Sequence, residues 1–276
     1  MNSSISAVAD RWALVTGASS GIGAEFARQL GRRGWNVILV ARRRDRLAEL
    51  AGELEREQAI RTRVLIQDLS AEGAAEAIWS QTQQAGCDVD LLVNNAGLSH
   101  SSRVGNSDIA RVEQLVDVNI VALTGLTYRF LPPMLARKSG GIINVASTLA
   151  FQPAAFVGAY AASKAYVLHF SESLWAECRH HGVTVTALCP GTTQTELFDA
   201  AGMNDWLRRR SSQRPETVVA AALHGYERQR SIVVPGLRNR IAAQMYRLLP
   251  RRSLLSLTQR LFAPAGPSRA SSRSSA

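Results

Sequence analysis

Trp12-Ala13-Leu14-Val15-Thr16-Gly17-Ala18-Ser19-Ser20-Gly21-Ile22-Gly23 is the stretch that decides the fold of this chain. An apolar run of strand length, Trp12 to Thr16, ends in a glycine-rich turn, and residues at helical period begin at Gly21. Glycines let the backbone turn sharply and come close to a phosphate. The helix N-terminus that follows offers that phosphate unpaired N–H groups and a positive dipole. A plain strand-to-helix turn uses the same glycines, so the turn alone leaves the ligand open.

The alternation continues outward from this turn. Strands are predicted at Asn36–Val40, Arg63–Gln67, Leu91–Val93, Ile142–Ala146 and Thr184–Cys189, and helices at Gly21–Arg33, Arg44–Gln58, Ala71–Gln84, Ile109–Ala136 and Tyr160–His181. Continuous apolar strands separated by helices imply a parallel sheet covered on both faces. The predicted fold class is therefore α/β, a single doubly wound parallel-sheet Rossmann-type domain that binds ligands at the carboxyl ends of its strands. A helix from Pro215 to about Arg230 and a short strand at Ser231–Val234 close this domain, which spans 1–236. A basic amphipathic helical extension follows over 237–262, interrupted by Pro250. Residues 263–276, made of Ser, Ala, Pro, Gly and Arg, read as a disordered tail.

Composition narrows the class. With 276 residues and 46% apolar content the chain can bury a substantial core. No apolar stretch reaches the roughly 18 residues that a spanning helix needs. Met1 to Asp10 has no basic start with an apolar run, so no secretory signal is expected. Cys87, Cys178 and Cys189 fit neither a disulfide framework nor a zinc site; a cytoplasmic home and no metal are expected. The net charge of +10 lies wholly in residues 228–276, which hold ten Arg and no acid, while the first 227 residues sum to zero. A main body without net charge argues against nucleic acid as a partner.

Tyr160 and Lys164 stand four apart on one predicted helix and share a face. An ammonium about 4 Å from the phenol oxygen, at an effective dielectric near 20, is worth roughly 4 kcal/mol, or about three pKa units. The phenol is therefore expected to be depressed toward neutrality and to exchange a proton with an alkoxide or alcohol. Ser147 ends the Ile142–Ala146 strand on the ligand-binding edge, where its hydroxyl can hold a substrate oxygen.

These residues, with Asn94-Asn95-Ala96-Gly97, Asn119 and Pro190-Gly191, stand in the order and approximate spacing of the short-chain dehydrogenase/reductase family, which the chain resembles over residues 12 to about 235. Val40-Ala41-Arg42-Arg43 and Val234-Pro235-Gly236, with the arginine-rich tail, are similar to an NADP-preferring bacterial branch that includes 3-oxoacyl and 17β-hydroxysteroid type reductases. The resemblance implies Asn119, Ser147, Tyr160 and Lys164 as catalytic residues, with Asn119 holding a water that links Lys164 to solvent. It implies a cofactor site of Gly17, Ser19, Ser20, Gly21, Ile22 and Gly23 at the pyrophosphate, Asp68 and Leu69 at the adenine, and Asn95, Ala96 and Gly97 beside the adenosine half. Pro190, Gly191, Thr193 and Thr195 grip the nicotinamide, and Tyr160 and Lys164 serve both chemistry and cofactor. Asp68 could equally cap the helix that begins near Ser70.

At the end of the second strand Arg42 and Arg43 stand where an NAD site offers a carboxylate, so the expected cofactor is NADP(H), with Arg42 as leading contact. The expected activity is hydride transfer between nicotinamide and a ketone or secondary alcohol, in the reductive direction on an apolar or lipid-like carbonyl. Two alternatives stay open: an NAD(P)-linked dehydrogenase oxidising a small or cyclic alcohol, and a non-catalytic cofactor-binding protein. Apolar groups in the expected substrate loops are Phe151, Phe156, Phe198, Met203 and Trp206, any of which could be core instead. The expected partners are a small-molecule carbonyl or alcohol and further copies of the chain, as homodimer or homotetramer. For the basic extension, contact with an anionic membrane surface and packing over the pocket or a second subunit both remain open.

Overall fold

The structure, a computed structural model, describes residues 10–196, 212–245 and 249–263. Phe198, Met203, Trp206, Leu248 and the expected tail beyond Ala263 lie outside the described residues. The order of elements is β1 (Trp12–Thr16), α1 (Gly21–Gly31), β2 (Asn36–Ala41), α2 (Arg44–Gln58), β3 (Thr62–Ile66), α3 (Ala74–Gln84), β4 (Val89–Asn94), α4 (Ile109–Val116), α5 (Leu123–Ala136), β5 (Gly140–Val145), α6 (Gly158–Cys178), β6 (Val183–Leu188), α7 (Pro215–Glu227), β7 (Ile232–Val233), α8 (Leu237–Met245) and α9 (Arg251–Phe262). The strands form one sheet in the order β3-β2-β1-β4-β5-β6-β7, every neighbouring pair parallel. The order reverses between β1 and β4, which opens a crevice at their carboxyl ends.

The two-residue period of the strands sorts the core into two layers. Ala13, Val15, Val37, Leu39, Leu91 and Val93 face one side and pack on Phe26 and Leu30 of α1, Leu47 and Leu54 of α2 and Val218 and Leu223 of α7. Leu14, Ile38, Val40, Leu92 and Ile142 face the other and meet Ile78 of α3, Leu126, Phe130 and Met134 of α5 and Leu174 of α6. The central strands β1, β2 and β5 are buried on both faces and read as nearly continuous apolar runs, whereas the edge strand β3 is only partly covered and exposes Arg63.

Three local departures from the sequence reading have physical causes. The segment read as one helix, 109–136, carries a π-helical turn at Asp117–Ala122 between α4 and α5. α3 begins at Ala74, not Ala71, because Gly73 takes φ +74° and Asp68 folds the preceding residues into a turn on Ser70. α6 ends at Cys178, and Gly182 at φ +74° turns the chain into β6.

The extension after β7 is helical and only partly covered. α9 buries Leu254 and Thr258, and its Phe262 packs on Ala154, Val157 and Ala161. Asn239 of α8 donates to the Pro235 carbonyl at 2.9 Å and to Gln213 Oε1 at 3.1 Å. Leu237, Ile241, Met245, Leu249, Leu255 and Leu257 remain exposed.

Candidate active site

The glycine turn sits in the crevice because side chains would not fit there. Gly17 has φ +66°, and a Cβ on Gly23 would lie 2.3 Å from the Gly17 carbonyl oxygen and 2.5 Å from Asn95 Nδ2. Asn95 fixes this turn to the end of β4: its Nδ2 donates to the Thr16 carbonyl at 2.8 Å, and its N–H donates to Thr16 Oγ1 at 3.0 Å. The result is an open cradle at the N-terminus of α1, the shape and dipole a pyrophosphate requires, so the residues present fit a dinucleotide.

A single cleft of about 330 Å³ runs from this cradle to Tyr160, within the range of small-molecule sites. Its lining brings together Gly17, Ser19, Ser20, Gly21, Ile22, Arg42, Arg43, Asp68, Leu69, Asn95, Ala96, Gly97, Ser147, Tyr160, Lys164, Pro190, Gly191, Thr193 and Thr195. Gly23 stands just behind the lining, and Asn119 lies beneath it. Leu98, at the head of an expected substrate loop, also lines the cleft, together with Ala41, Gln67, Val118, Val145, Ala146 and Glu196, which the sequence reading leaves out. Most of these flank a motif residue directly, a signal that adjacency alone supplies. Phe151 belongs to the core beside Val167 and Leu168, and Phe156 lies under the Arg103 guanidinium, so neither lines the cleft.

Asn119 is fully buried in the π-helical turn. Its Oδ1 accepts from the Leu98 N–H at 2.8 Å, and its Nδ2 donates to the Leu98 carbonyl at 3.0 Å and to Ser163 Oγ at 2.9 Å. These bonds repay the poor helix propensity of asparagine and pin the loop after β4 to α6. Gly97 leaves a polar nook here, since a Cβ on it would stand 3.2 Å from Lys164 Nζ and 3.4 Å from Asn119 Oδ1.

Ser147 follows β5 in extended conformation, and its Oγ accepts from the Leu149 N–H at 3.1 Å. Tyr160 and Lys164, both buried, face the cleft from α6. Here the structure corrects the expected electrostatics. Lys164 Nζ donates to the Val145 carbonyl at 2.8 Å and lies 5.9 Å from the centre of the Tyr160 ring. Burial accordingly dominates: it pushes the Tyr160 phenol above its ordinary value, with the Ser147 hydroxyl pulling it partly back. The same desolvation lowers Lys164 to about 8.

At the other end of the cleft, Arg42 pairs with Asp68 at 3.6 Å. Asp68 accepts from the Ser70 N–H at 3.0 Å and the Ser70 hydroxyl at 2.8 Å, which is the turn-capping geometry weighed against an adenine contact. Burial raises its carboxyl, but the Ser70 bonds and Arg42 outweigh this and hold it below the usual range. Arg43 donates to Ser19 Oγ at 3.0 and 2.9 Å and to Ser20 Oγ at 2.7 Å, so of the two arginines it is the one built into the glycine turn.

A parallel sheet reversing at a glycine cradle, with a serine, a tyrosine and a lysine buried at the edge of one cleft, is the architecture of a nucleotide-dependent oxidoreductase. The chain belongs to the short-chain dehydrogenase family, whose pattern it matches over residues 11–205, and thereby to oxidoreductases acting on CH–OH and C=O groups. It is similar to a very-long-chain 3-oxoacyl-CoA reductase of Anas platyrhynchos, 30% identical over 89% of this chain and 78% of that one. An uncharacterised oxidoreductase of Staphylococcus saprophyticus is 35% identical over 79% of this chain and 92% of the relative. Among solved structures, a short-chain dehydrogenase from Sphingobium yanoikuyae in complex with NADPH aligns with a TM-score of 0.78 at 31% identity, covering 96% of this chain and all of the other.

Proposed function

We propose that the chain is an NADPH-dependent reductase that moves a hydride to a ketone on an apolar, lipid-like substrate. The observation that carries this reading is the convergence of Ser147, Tyr160 and Lys164 in one cleft whose far end holds Arg42 and Arg43. When bound, the nicotinamide supplies the hydride. Ser147 donates to the substrate oxygen and orients the carbonyl carbon. Tyr160 gives its proton to the alkoxide as charge develops. Lys164 and the nook beside Asn119 return a proton to the phenol. Burial raises the Tyr160 phenol, which is therefore protonated at neutral pH, the state in which it can serve as the acid. The named activity of the Anas relative supports a long apolar carbonyl as the substrate class.

Cofactor preference is tested at the arginines. Removing a charge-assisted phosphate contact costs about 1.5–3 kcal/mol, so Arg43→Ala and Arg42→Ala are each expected to lower the NADPH/NADH ratio of kcat/KM by roughly 10- to 100-fold, with NADH kinetics little changed. Measuring kcat/KM with both cofactors decides it; an unchanged ratio in both variants assigns the preference elsewhere.

The free, buried cysteines suit a reducing cytoplasm. Exposed Val121, Tyr128 and Tyr166 beside the stacked Phe170 ring offer an apolar face to a second copy of the chain. α9 gives one stripe to the fold, whereas the exposed Leu237, Ile241, Met245, Leu249, Leu255 and Leu257 lie among Arg238, Arg240, Arg251, Arg252 and Arg260 with no acidic residue. Positive charge around exposed apolar groups complements an anionic membrane surface. The full chain is expected to float with anionic liposomes at low salt and to be released at high salt, while a chain ending at Gly236 stays behind. Retention in the aqueous fraction with every lipid would assign these helices to packing.

A further inference from the structure

At the arginine end of the cleft an anion already occupies the guanidinium groups. The carboxylate of Glu196 accepts from Arg43 Nη1 at 2.7 Å through one oxygen and from Arg46 Nη1 at 2.5 Å through the other. Arg43 is at the same time bonded to Ser19 and Ser20 of the glycine turn. Glu196 ends the stretch that runs from Pro190 through Thr193 and Thr195, and Thr195 packs on that turn as well: a Cβ on Gly21 would lie 2.8 Å from Thr195 Cγ2. One side chain thus ties the nicotinamide end of the site to the cationic end.

We propose that Glu196 is a built-in competitor of the cofactor's ribose 2′-phosphate for Arg43 and Arg46, and so sets how strongly the chain discriminates NADPH from NADH. This rests on the NADP reading above. The chemistry of the two anions decides the exchange. A carboxylate has one charge on two oxygens, and all three side chains are about half exposed, at 41–52%, where ion pairs are weak. A phosphate monoester carries about −1.5 to −2 charges at neutral pH and three acceptor oxygens, and it bonds a guanidinium fork more strongly. NADPH therefore displaces the carboxylate at a cost, while NADH brings no anion to this point and leaves the pairs intact. The arginines hold Glu196 down to about 2, so its carboxylate competes across the whole physiological pH range.

The test is calorimetric titration of the full chain with NADP+ and NAD+ at low salt. Glu196→Gln keeps the shape and removes the charge, and it is expected to tighten NADP+ binding about 3- to 10-fold with NAD+ binding unchanged. In an Arg43→Ala background the gain should shrink, because one of the two contested guanidinium groups is gone. Weaker or unchanged NADP+ binding in Glu196→Gln would overturn the proposal, since Glu196 would then preorganise the arginines or stand apart from them. Equal tightening of both nucleotides would also overturn it, as a general gain of positive potential. Failure of the NADP reading shows separately: there Arg42→Ala and Arg43→Ala both leave the NADP+/NAD+ affinity ratio unmoved.

Discussion

Tyr160→Phe is expected to remove ketone reduction, by about 10²- to 10⁴-fold in kcat, while melting temperature and NADPH affinity stay close to those of the parent chain. The substitution deletes one oxygen from a ring that is otherwise buried, so packing on α6 is kept. The contacts proposed for the cofactor, the glycine turn that begins at Gly17 and the two arginines, are elsewhere in the cleft. In the proposed mechanism, reduction needs the phenol protonated and Lys164 charged. With the phenol raised by burial and Lys164 lowered to about 8, kcat/KM for reduction should be level near neutrality and fall as pH rises through about 8. Substantial turnover in Tyr160→Phe would remove the phenol from the role of acid.

Lys164→Met is expected to cost both turnover and cofactor affinity, yet to stabilise the free protein at neutral pH. A buried ammonium whose value drops from 10.5 to about 8 binds its proton less readily in the folded than in the unfolded chain. The linkage sign follows: below about 8 the charged group opposes folding by roughly 3 kcal/mol, and stability rises as pH climbs from about 8 to 10.5, where the unfolded chain also releases its proton. Methionine fills a similar volume without the charge. Loss of the bond to the Val145 carbonyl offsets part of the gain, at about 1 kcal/mol. Thermal melts of the two proteins from pH 7 to 11 should show the variant ahead at pH 7 and the difference closing at alkaline pH. A parallel pair of curves would mean that Lys164 is not desolvated.

The fold was largely legible because period and composition agree at every element of the sheet. Strand cores such as Leu91–Val93 are wholly apolar, and each helix of the sheet domain begins within a few residues of a predicted helical stretch. The departures come from contacts between distant segments. Asp117-Val118-Asn119-Ile120-Val121-Ala122 keeps a helical pattern, and its π-helical turn accompanies the capture of Asn119 by the Leu98 backbone and Ser163. A four-residue spacing places Tyr160 and Lys164 on one face but carries no information on depth, and depth reverses the sign of the phenol's shift. Arg42 and Arg43 read alike in sequence. Tertiary contacts separate them, sending Arg42 to Asp68 and Arg43 to Ser19, Ser20 and Glu196. The leucines of the extension likewise show an amphipathic pattern, while which stripe is covered depends on the loop at Ala154 and Val157 that receives Phe262.

Transfer of label from NADPH deuterated at the nicotinamide C4 position tests the central claim most directly. The full chain is incubated with each of the two C4 epimers and a panel of ketones that includes long-chain 3-oxoacyl thioesters, and the alcohols are analysed by mass spectrometry. The account predicts deuterium on the carbinol carbon from one epimer and not the other, with the signal lost in Tyr160→Phe. NADPH that binds with measurable affinity yet gives no labelled alcohol from either epimer, across the whole panel, would contradict it.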